Sequence, residues 1–85
     1  MNKMFSDNAW QDFLEWMRED RKIAKKIAVL LSDIERNGND GLGKPEALKG
    51  NLSGYWSRRI TEKDRLIYRF DKTAIYIAAC KGHYS

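Results

Sequence analysis

Three side chains of this sequence could together cleave RNA at an internal phosphodiester: a carboxylate, an arginine and the only histidine. They are Glu46, Arg65 and His83. Glu46 can act as the base that removes the proton of the 2′-hydroxyl, which then attacks the adjacent phosphorus. Arg65 offers a planar, permanently charged donor fork for the non-bridging oxygens. His83 can protonate the leaving 5′-oxygen, because an imidazole titrates near neutral pH.

Three further residues could support the same chemistry. Lys49 and Arg59 add cations, and Tyr84 could stack on a base or orient a phosphate. Each candidate also has an ordinary structural role: a loop glutamate is commonly a solvated charge, and a strand arginine commonly forms a surface ion pair. A terminal His-Tyr pair can simply close a sheet edge. The spacing does not show whether these groups meet, so the residues alone leave both interpretations open.

The composition indicates one small globular domain over residues 1–85, with 42% hydrophobic and 33% charged residues. The lone cysteine, Cys80, excludes an internal disulfide and a Cys-based zinc cluster. No apolar run approaches the roughly 20 residues of a membrane span, and no signal peptide is recognisable. We therefore expect a cytoplasmic protein that does not contact membranes.

The net charge of +4 is concentrated in residues 58–69, which hold five basic and two acidic side chains. Aromatic residues are interleaved with these basic side chains: Tyr55, Trp56, Tyr68 and Tyr84. Such a surface could neutralise phosphates and stack bases. The alternative is a basic strand face that is simply solvated.

Residues 1–5 are a weak strand candidate, and two helices are predicted after them. Ser6 is a candidate N-cap of the first helix. Its buried stripe is predicted from apolar residues at i, i+3, i+4 and i+7: Trp10, Phe13, Leu14 and Met17. Trp16 lies off this stripe, so we expect it to contact a partner or a second surface. Asp20 can cap the second helix, and Gly38 lies where its C-cap is expected. The predicted core face of this helix is Ile23, Ile27, Leu30, Leu31 and Ile34.

The rest of the chain is predicted to be a long loop followed by three strands. Residues 37–54 hold five of the six glycines and the only proline, which is typical of a functional or mobile loop. Alternation predicts strands at 55–61, 65–70 and 73–80. In the middle strand, Arg65, Ile67 and Arg69 should face away from the core. The predicted fold is therefore α+β, with an N-terminal helical hairpin packed on a small twisted antiparallel sheet.

Four blocks of residues carry a resemblance to a known family. They are GKPEALK at 43–49, LSGYWSRRIT at 52–61, RLIY at 65–68, and IAAC at 77–80 followed by the His-Tyr pair at 83–84. In this order and at these separations they resemble the YoeB (Txe) toxins of bacterial toxin–antitoxin modules. That family is a branch of the RelE-like toxins, which have a compact α+β fold similar to microbial ribonucleases.

The resemblance implies a ribosome-dependent endoribonuclease, or mRNA interferase, that cuts messenger RNA in the ribosomal A site without a metal or cofactor. The implied products carry a 2′,3′-cyclic phosphate or 3′-phosphate and a 5′-hydroxyl. The family's general base falls on Glu46, its phosphate-stabilising arginine on Arg65 and its general acid on His83. Its C-terminal tyrosine falls on Tyr84. The supporting basic residues fall on Lys49 and Arg59.

The resemblance also implies partners. An antitoxin resembling YefM would neutralise the toxin by wrapping it with a C-terminal segment, and the pair would bind operator DNA. Toxins of this group are also known as homodimers.

Two departures and two alternatives accompany the resemblance. Ser85 follows the His-Tyr pair at which family chains usually end, and Lys81 stands where an arginine is common. One alternative is a non-catalytic gyrase poison like the ParE branch, and another is a plain RNA-binding or antitoxin-binding module. The joint presence of Glu46, Arg65 and His83 favours the enzyme, because a binding protein needs no acid–base pair.

Overall fold

Two helices pack on one face of a five-stranded sheet in the computed structural model, which describes residues 1–83. The chain runs through β1 (Asn2–Phe5), α1 (Asp7–Glu19), α2 (Arg21–Asn37), β2 (Glu46–Ala47), β3 (Trp56–Arg59), β4 (Arg65–Phe70) and β5 (Ala74–Ala79). A short 3-10 helix, Gly50–Leu52, lies between β2 and β3. No helix within residues 1–83 is long and apolar enough to cross a membrane.

The strand order of the sheet is β1-β5-β4-β3-β2. Strands β3 to β5 pair antiparallel, as predicted. Strand β2, which lies in the predicted loop, adds an antiparallel edge beside β3. Strand β1 instead pairs parallel with β5, so the sheet is mixed and not purely antiparallel as predicted. The two helices supply the long crossover that a parallel pair requires. The α+β class is confirmed.

Helix α1 begins as predicted but buries a different face. Ser6 caps it, since its Oγ accepts a hydrogen bond from Ala9 N at 3.0 Å. Ala9 and Trp16 are buried, and the Trp16 indole donates to the carbonyl of Cys80 at 2.8 Å. Of the two alternatives predicted for Trp16, a partner or a second contact, the structure therefore supports the second contact.

The predicted apolar stripe of α1 is wrong for most of its members. Trp10, Leu14 and Met17 are 46%, 38% and 39% exposed, and only Phe13 packs against the core. The reason is that the small Ala9 side chain lets the helix approach β5 closely on the face it shares with Trp16. Trp10 keeps a partial cover through an edge contact with Phe5, with ring centroids 5.7 Å apart.

Helix α2 follows the prediction. The Asp20 carboxylate accepts from Lys22 N at 3.1 Å, and Gly38 ends the helix with φ +64° while its N–H donates to Ile34 O at 2.8 Å. Four of the predicted core residues are buried and Ile23 packs beside them: Ile27, Leu30, Leu31 and Ile34. These side chains meet Leu66 and Tyr68 of β4 and Ile75 and Ile77 of β5 in one core. The opposite face of the sheet is left uncovered by helices.

Candidate active site

The face of the sheet opposite the helices carries Arg59 of β3 and the arginines of β4. Leu66 and Tyr68 lie fully buried in the core, so Arg65 and Arg69 project from the other face, as the alternation predicted. On β3, Arg59 pairs with Arg65, and Ser57 pairs with Ile67 on the same face. Strand geometry thus places the arginines that could bind phosphate on one surface.

A cleft of about 470 Å³ opens on this face next to the edge strand β2. Five of the six predicted site residues line it: Glu46, Lys49, Arg59, Arg65 and His83. The sixth, Tyr84, lies outside the described residues. The structure therefore brings together groups that spacing alone could not join, although their catalytic roles stay predictions.

Glu46 is held in the cleft by the edge strand. It pairs with Ser57 of β3, and the next connection is a hydrogen bond from Leu48 N to Tyr55 O at 2.9 Å. The predicted long loop is thus not structureless in its middle, because a two-residue strand fixes the backbone of the carboxylate.

The segment before Glu46 is locked against β3 at Gly43. Its carbonyl accepts a hydrogen bond from Arg59 N at 2.7 Å, and its φ is +79°. A Cβ at this position would lie 3.0 Å from the Arg59 carbonyl oxygen. Only glycine allows both this conformation and this close approach without strain.

Arg58, which is fully buried, organises the rest of the loop. Its Nη2 donates to the carbonyls of Gly38 and Asp40 at 2.6 and 2.7 Å. Its Nη1 donates to Leu42 O at 2.9 Å and to the Asp33 carboxylate. The remaining N–H, on Nε, donates to the Tyr68 hydroxyl at 3.2 Å. All five guanidinium donors are therefore satisfied, and three of them bind the backbone of residues 38–42.

The Asp33 carboxylate completes this network from α2. It accepts from Leu42 N at 2.9 Å and from the Asn37 amide at 2.8 Å, in addition to Arg58. The hydrogen bond from Arg58, followed by that from Leu42 N, lowers the pKa of Asp33 from 3.8 to about 2. The loop that leads to Glu46 is thus tied to the core by a buried, charged centre.

Arg65 is oriented by the turn between β3 and β4. Its Nη1 donates to the carbonyls of Thr61, Glu62 and Asp64 at 2.9, 3.2 and 3.1 Å. Within residues 1–83, Nη2 and Nε have no protein hydrogen-bond partner. One edge of the guanidinium is therefore fixed, and the other can donate two hydrogen bonds to a phosphate.

The segment that carries His83 is attached directly to Arg65. Arg65 N donates to Gly82 O at 2.9 Å, and Gly82 N donates to the Asp64 carboxylate at 2.8 Å. Just before it, the Lys81 ammonium contacts the Glu19 carboxylate at 3.0 Å and lies 4.9 Å from the centre of the Trp16 ring. These contacts place the exposed imidazole at the rim of the cleft.

The charge of the cleft is suited to an anion. Among the described residues, one carboxylate, that of Glu46, and four cationic side chains line it: Lys44, Lys49, Arg59 and Arg65. Within residues 1–83, no three His, Cys, Asp or Glu residues lie close enough to hold a metal ion. The buried Cys80 thiol is not a candidate nucleophile, because burial raises its pKa to about 12.

Sequence reasoning missed several residues that build this site. Lys44 and Ser57 line the cleft without having been predicted to do so. Ser57 lies two residues before Arg59 in β3, so strand alternation could have predicted that both face the cleft. The ion pair of Asp33 and Arg58 could not be predicted from neighbouring residues, because the two lie 25 positions apart in the sequence.

Comparison with known proteins agrees with the fold. Residues 5–84 match the model of a family described as YoeB-like toxin of bacterial type II toxin-antitoxin system. The chain is 49% identical to Toxin YoeB of Escherichia coli strain K12 over 84 residues, which are 99% of this chain and 100% of that protein. The fold and this match define the class, the small α+β toxins of bacterial toxin–antitoxin systems. Within that class the chain belongs to the YoeB-like family, as its sequence blocks predicted.

Solved structures from Staphylococcus aureus are similar throughout. The YoeB dimer superposes with a TM-score of 0.94 at 49% identity, over 99% of this chain and 98% of that chain. The toxin in a heterotetrameric YoeB-YefM toxin-antitoxin complex superposes with a TM-score of 0.92 at 49% identity, with the same coverage.

Proposed function

We propose that this chain is a ribosome-dependent mRNA interferase, an endoribonuclease that cuts messenger RNA in the ribosomal A site and so inhibits translation. The observation that carries the proposal is that Glu46, Arg65 and His83 line one cleft although they come from three separate segments. Membership of the YoeB-like family supports it further. Cleavage needs these three chemical types together, whereas a binding surface does not.

The reaction proceeds by internal attack at phosphorus. Glu46 accepts the proton of the 2′-hydroxyl, whose oxygen forms a bond to the adjacent phosphorus. Arg65 donates N–H groups of Nε and Nη2 to the non-bridging oxygens, where negative charge develops. The bond from phosphorus to the 5′-oxygen breaks, and His83 protonates that oxygen as it leaves. The products are a 2′,3′-cyclic phosphate, which can open to a 3′-phosphate, and a 5′-hydroxyl.

The remaining cleft residues bind substrate in this proposal. Lys49 and Arg59 neutralise the flanking phosphates, and Tyr84 stacks on a base or orients the scissile phosphate. None of these steps uses a metal or a cofactor. The positive lining of the cleft supports this arrangement, because phosphate neutralisation supplies much of the affinity for RNA.

The proposal includes protein partners. A YefM-like antitoxin neutralises the toxin, as the Staphylococcus aureus YoeB-YefM complex suggests for its own pair. The resulting complex binds operator DNA through the antitoxin. A homodimer is proposed by analogy with the Staphylococcus aureus YoeB dimer. Because the toxin acts on ribosomes in this proposal, it is a cytoplasmic protein. Residues 1–85 form its single domain.

The experiment that tests the proposal combines purified ribosomes with a defined messenger RNA. Primer extension should show new 5′ ends within the A-site codon only when ribosomes are present, and the downstream fragment should carry a 5′-hydroxyl. A parallel assay measures supercoiling by DNA gyrase. Inhibition of gyrase without RNA cleavage would replace the proposed function with that of a gyrase poison.

A further inference from the structure

A second basic and aromatic surface lies on the same sheet face as the cleft. Arg69 of β4 lies between two tyrosines of neighbouring strands. Its guanidinium carbon is 4.1 Å from the ring centre of Tyr76 on β5 and 5.9 Å from that of Tyr55, just before β3. Arg69 and Tyr76 are direct cross-strand partners. We call these three residues the Arg69 platform.

Hydrogen bonds to Asp71 hold the Tyr76 side chain of the platform in place. The Tyr76 hydroxyl donates to the Asp71 carboxylate at 3.0 Å, and the same carboxylate accepts from the backbone N–H groups of Thr73 and Ala74 at 2.8 and 3.0 Å. The Tyr76 ring is therefore fixed, and it supports the guanidinium that lies over it. An exposed guanidinium that lies over a ring can stack with a further planar group.

The Arg69 side chain is exposed, and within residues 1–83 it forms no hydrogen bond or ion pair. Arg65 on the same face is instead oriented by three backbone carbonyls. An exposed arginine that is oriented only by aromatic rings has all its N–H donors available. It can therefore bind the edge or the phosphate of a nucleotide while its face stacks on the base.

The surface beside the platform is concave. A shallow pocket of about 260 Å³ is bounded by the platform together with Met4, Phe5, Ser6, Ile77 and Ala78. Met4 pairs with Tyr76 across β1 and β5, so it extends the row of platform residues to the edge of the sheet. Apolar walls beside a cation suit an aromatic base better than a second phosphate.

The position of the platform relates it to the cleft. Arg69 lies four residues after Arg65 on β4 and on the same face, which puts the two about 14 Å apart at 3.4 Å per residue. The basic cleft and the platform thus form one continuous surface along the sheet. A single RNA-containing partner can contact both.

We propose that the Arg69 platform is a nucleobase-binding subsite, in which an unpaired ribonucleotide base stacks on the guanidinium of Arg69. This subsite rests on the proposed function, because an enzyme that acts on ribosomes meets RNA on this face. The base comes either from the messenger RNA that flanks the cleaved bond or from ribosomal RNA. The chemistry of recognition is the same in both cases.

Two binding assays separate these sources. One measures the dissociation constant of a single-stranded oligoribonucleotide carrying 2′-O-methyl groups, which cannot be cleaved, by fluorescence anisotropy. The other measures binding to vacant ribosomes without messenger RNA. Arg69→Ala is expected to weaken binding about 10-fold in at least one arm, in line with the effect of losing one stacked base. If Arg69→Ala binds the oligoribonucleotide more weakly, the base belongs to messenger RNA. If it binds vacant ribosomes more weakly, the base belongs to ribosomal RNA.

Two further variants test the stacking mode. Arg69→Lys keeps the charge but not the planar group, so it should bind as weakly as Arg69→Ala. Lys25→Ala removes one positive charge from α2, away from this face, and should bind like the wild type. Thermal unfolding of each variant checks that the fold is retained.

Four results would overturn the proposal. The first is that Arg69→Ala binds as well as the wild type in both assays, and the second is that Arg69→Lys does so. The third is that Lys25→Ala weakens RNA binding as much as Arg69→Ala does. The fourth is that Arg69→Ala loses binding to the antitoxin while its RNA binding stays intact. The last result would make the platform a protein-binding surface. Neither arm measures RNA cleavage, so absence of ribonuclease activity in the wild type would refute the proposed function without altering these readings.

Discussion

At the scale of the residue, Arg65 shows how one guanidinium can serve structure and chemistry at once. Three backbone carbonyls hold Nη1, and the opposite edge is left for a ligand. A lysine at this position would keep the charge but would have only one nitrogen for both tasks. The proposed mechanism therefore depends on the geometry of the donor fork as well as on its charge.

We expect Arg65→Lys to lower the single-turnover rate of messenger RNA cleavage on ribosomes by about 100-fold, the scale of losing one preorganised donor to a developing oxyanion. Lys25→Arg is the matched control and should cut at the wild-type rate. Cleavage by Arg65→Lys at the wild-type rate would show that charge alone suffices.

Gly43 and Gly50 separate two effects of glycine on the loop. Both have positive φ, +79° and +65°, but a Cβ on Gly43 would meet the Arg59 backbone while one on Gly50 would meet nothing within 4 Å. Gly50→Ala should therefore lower the free energy of unfolding by about 1 kcal/mol, through φ alone. Gly43→Ala should lower the free energy of unfolding by about 1–2 kcal/mol more than Gly50→Ala does, because the backbone must also shift. Urea denaturation measures both, and equal losses would contradict the role of the close contact.

At the scale of the element, the loop before β2 depends on the buried pair of Asp33 and Arg58. Removing Arg58 leaves the buried Asp33 carboxylate without its cation and three loop carbonyls without their donors. Arg58→Met should therefore lower the free energy of unfolding by about 3–5 kcal/mol. Arg36→Met, on the exposed side of α2, is the control and should change stability little. A small loss for Arg58→Met in urea denaturation would mean that the loop is held by other contacts.

The same pair predicts how stability depends on pH. The pKa of Asp33 falls to about 2 in the folded state from its ordinary value of 3.8. Its contribution to stability is therefore complete above pH 4 and is lost as the pH falls toward 2. Asp71, whose pKa is lowered to about 2 by hydrogen bonds from Thr73, titrates in the same window. Asp33→Asn should reduce the pH dependence of unfolding between pH 4 and 2 without abolishing it, and an unchanged slope would contradict the assignment.

The elements also show what could be predicted from the sequence. Caps, strand alternation and the core face of α2 depend on residues close in the chain, so Ser6, Asp20 and Gly38 were placed correctly. The buried face of α1 was not, because apolar residues occupy two of its faces and the deciding contact of Trp16 is with Cys80, far along the chain. The parallel pairing of β1 with β5 is non-local in the same way. The meeting of Glu46 with His83 was predicted only through the family resemblance.

At the scale of the whole molecule, the positive charge should make association with ribosomes strongly dependent on salt. Each phosphate contact contributes about one to the slope of log K against log salt. Lys49→Ala should therefore reduce this slope by about one, whereas Lys25→Ala should leave it unchanged. Dissociation constants measured between about 50 and 200 mM salt give the slope. Equal slopes for the two variants would place Lys49 outside the RNA contact.

The central claim, that the cleft performs acid–base cleavage of messenger RNA, is tested most directly at His83. The measurement compares His83→Ala with the wild type in single-turnover cleavage on programmed ribosomes, alongside ribosome binding. Because a general acid acts mainly on the transition state, the rate should fall by about 100- to 10,000-fold while binding stays near the wild-type value. Cleavage by His83→Ala at the wild-type rate, or a loss explained entirely by weaker binding, would contradict the account.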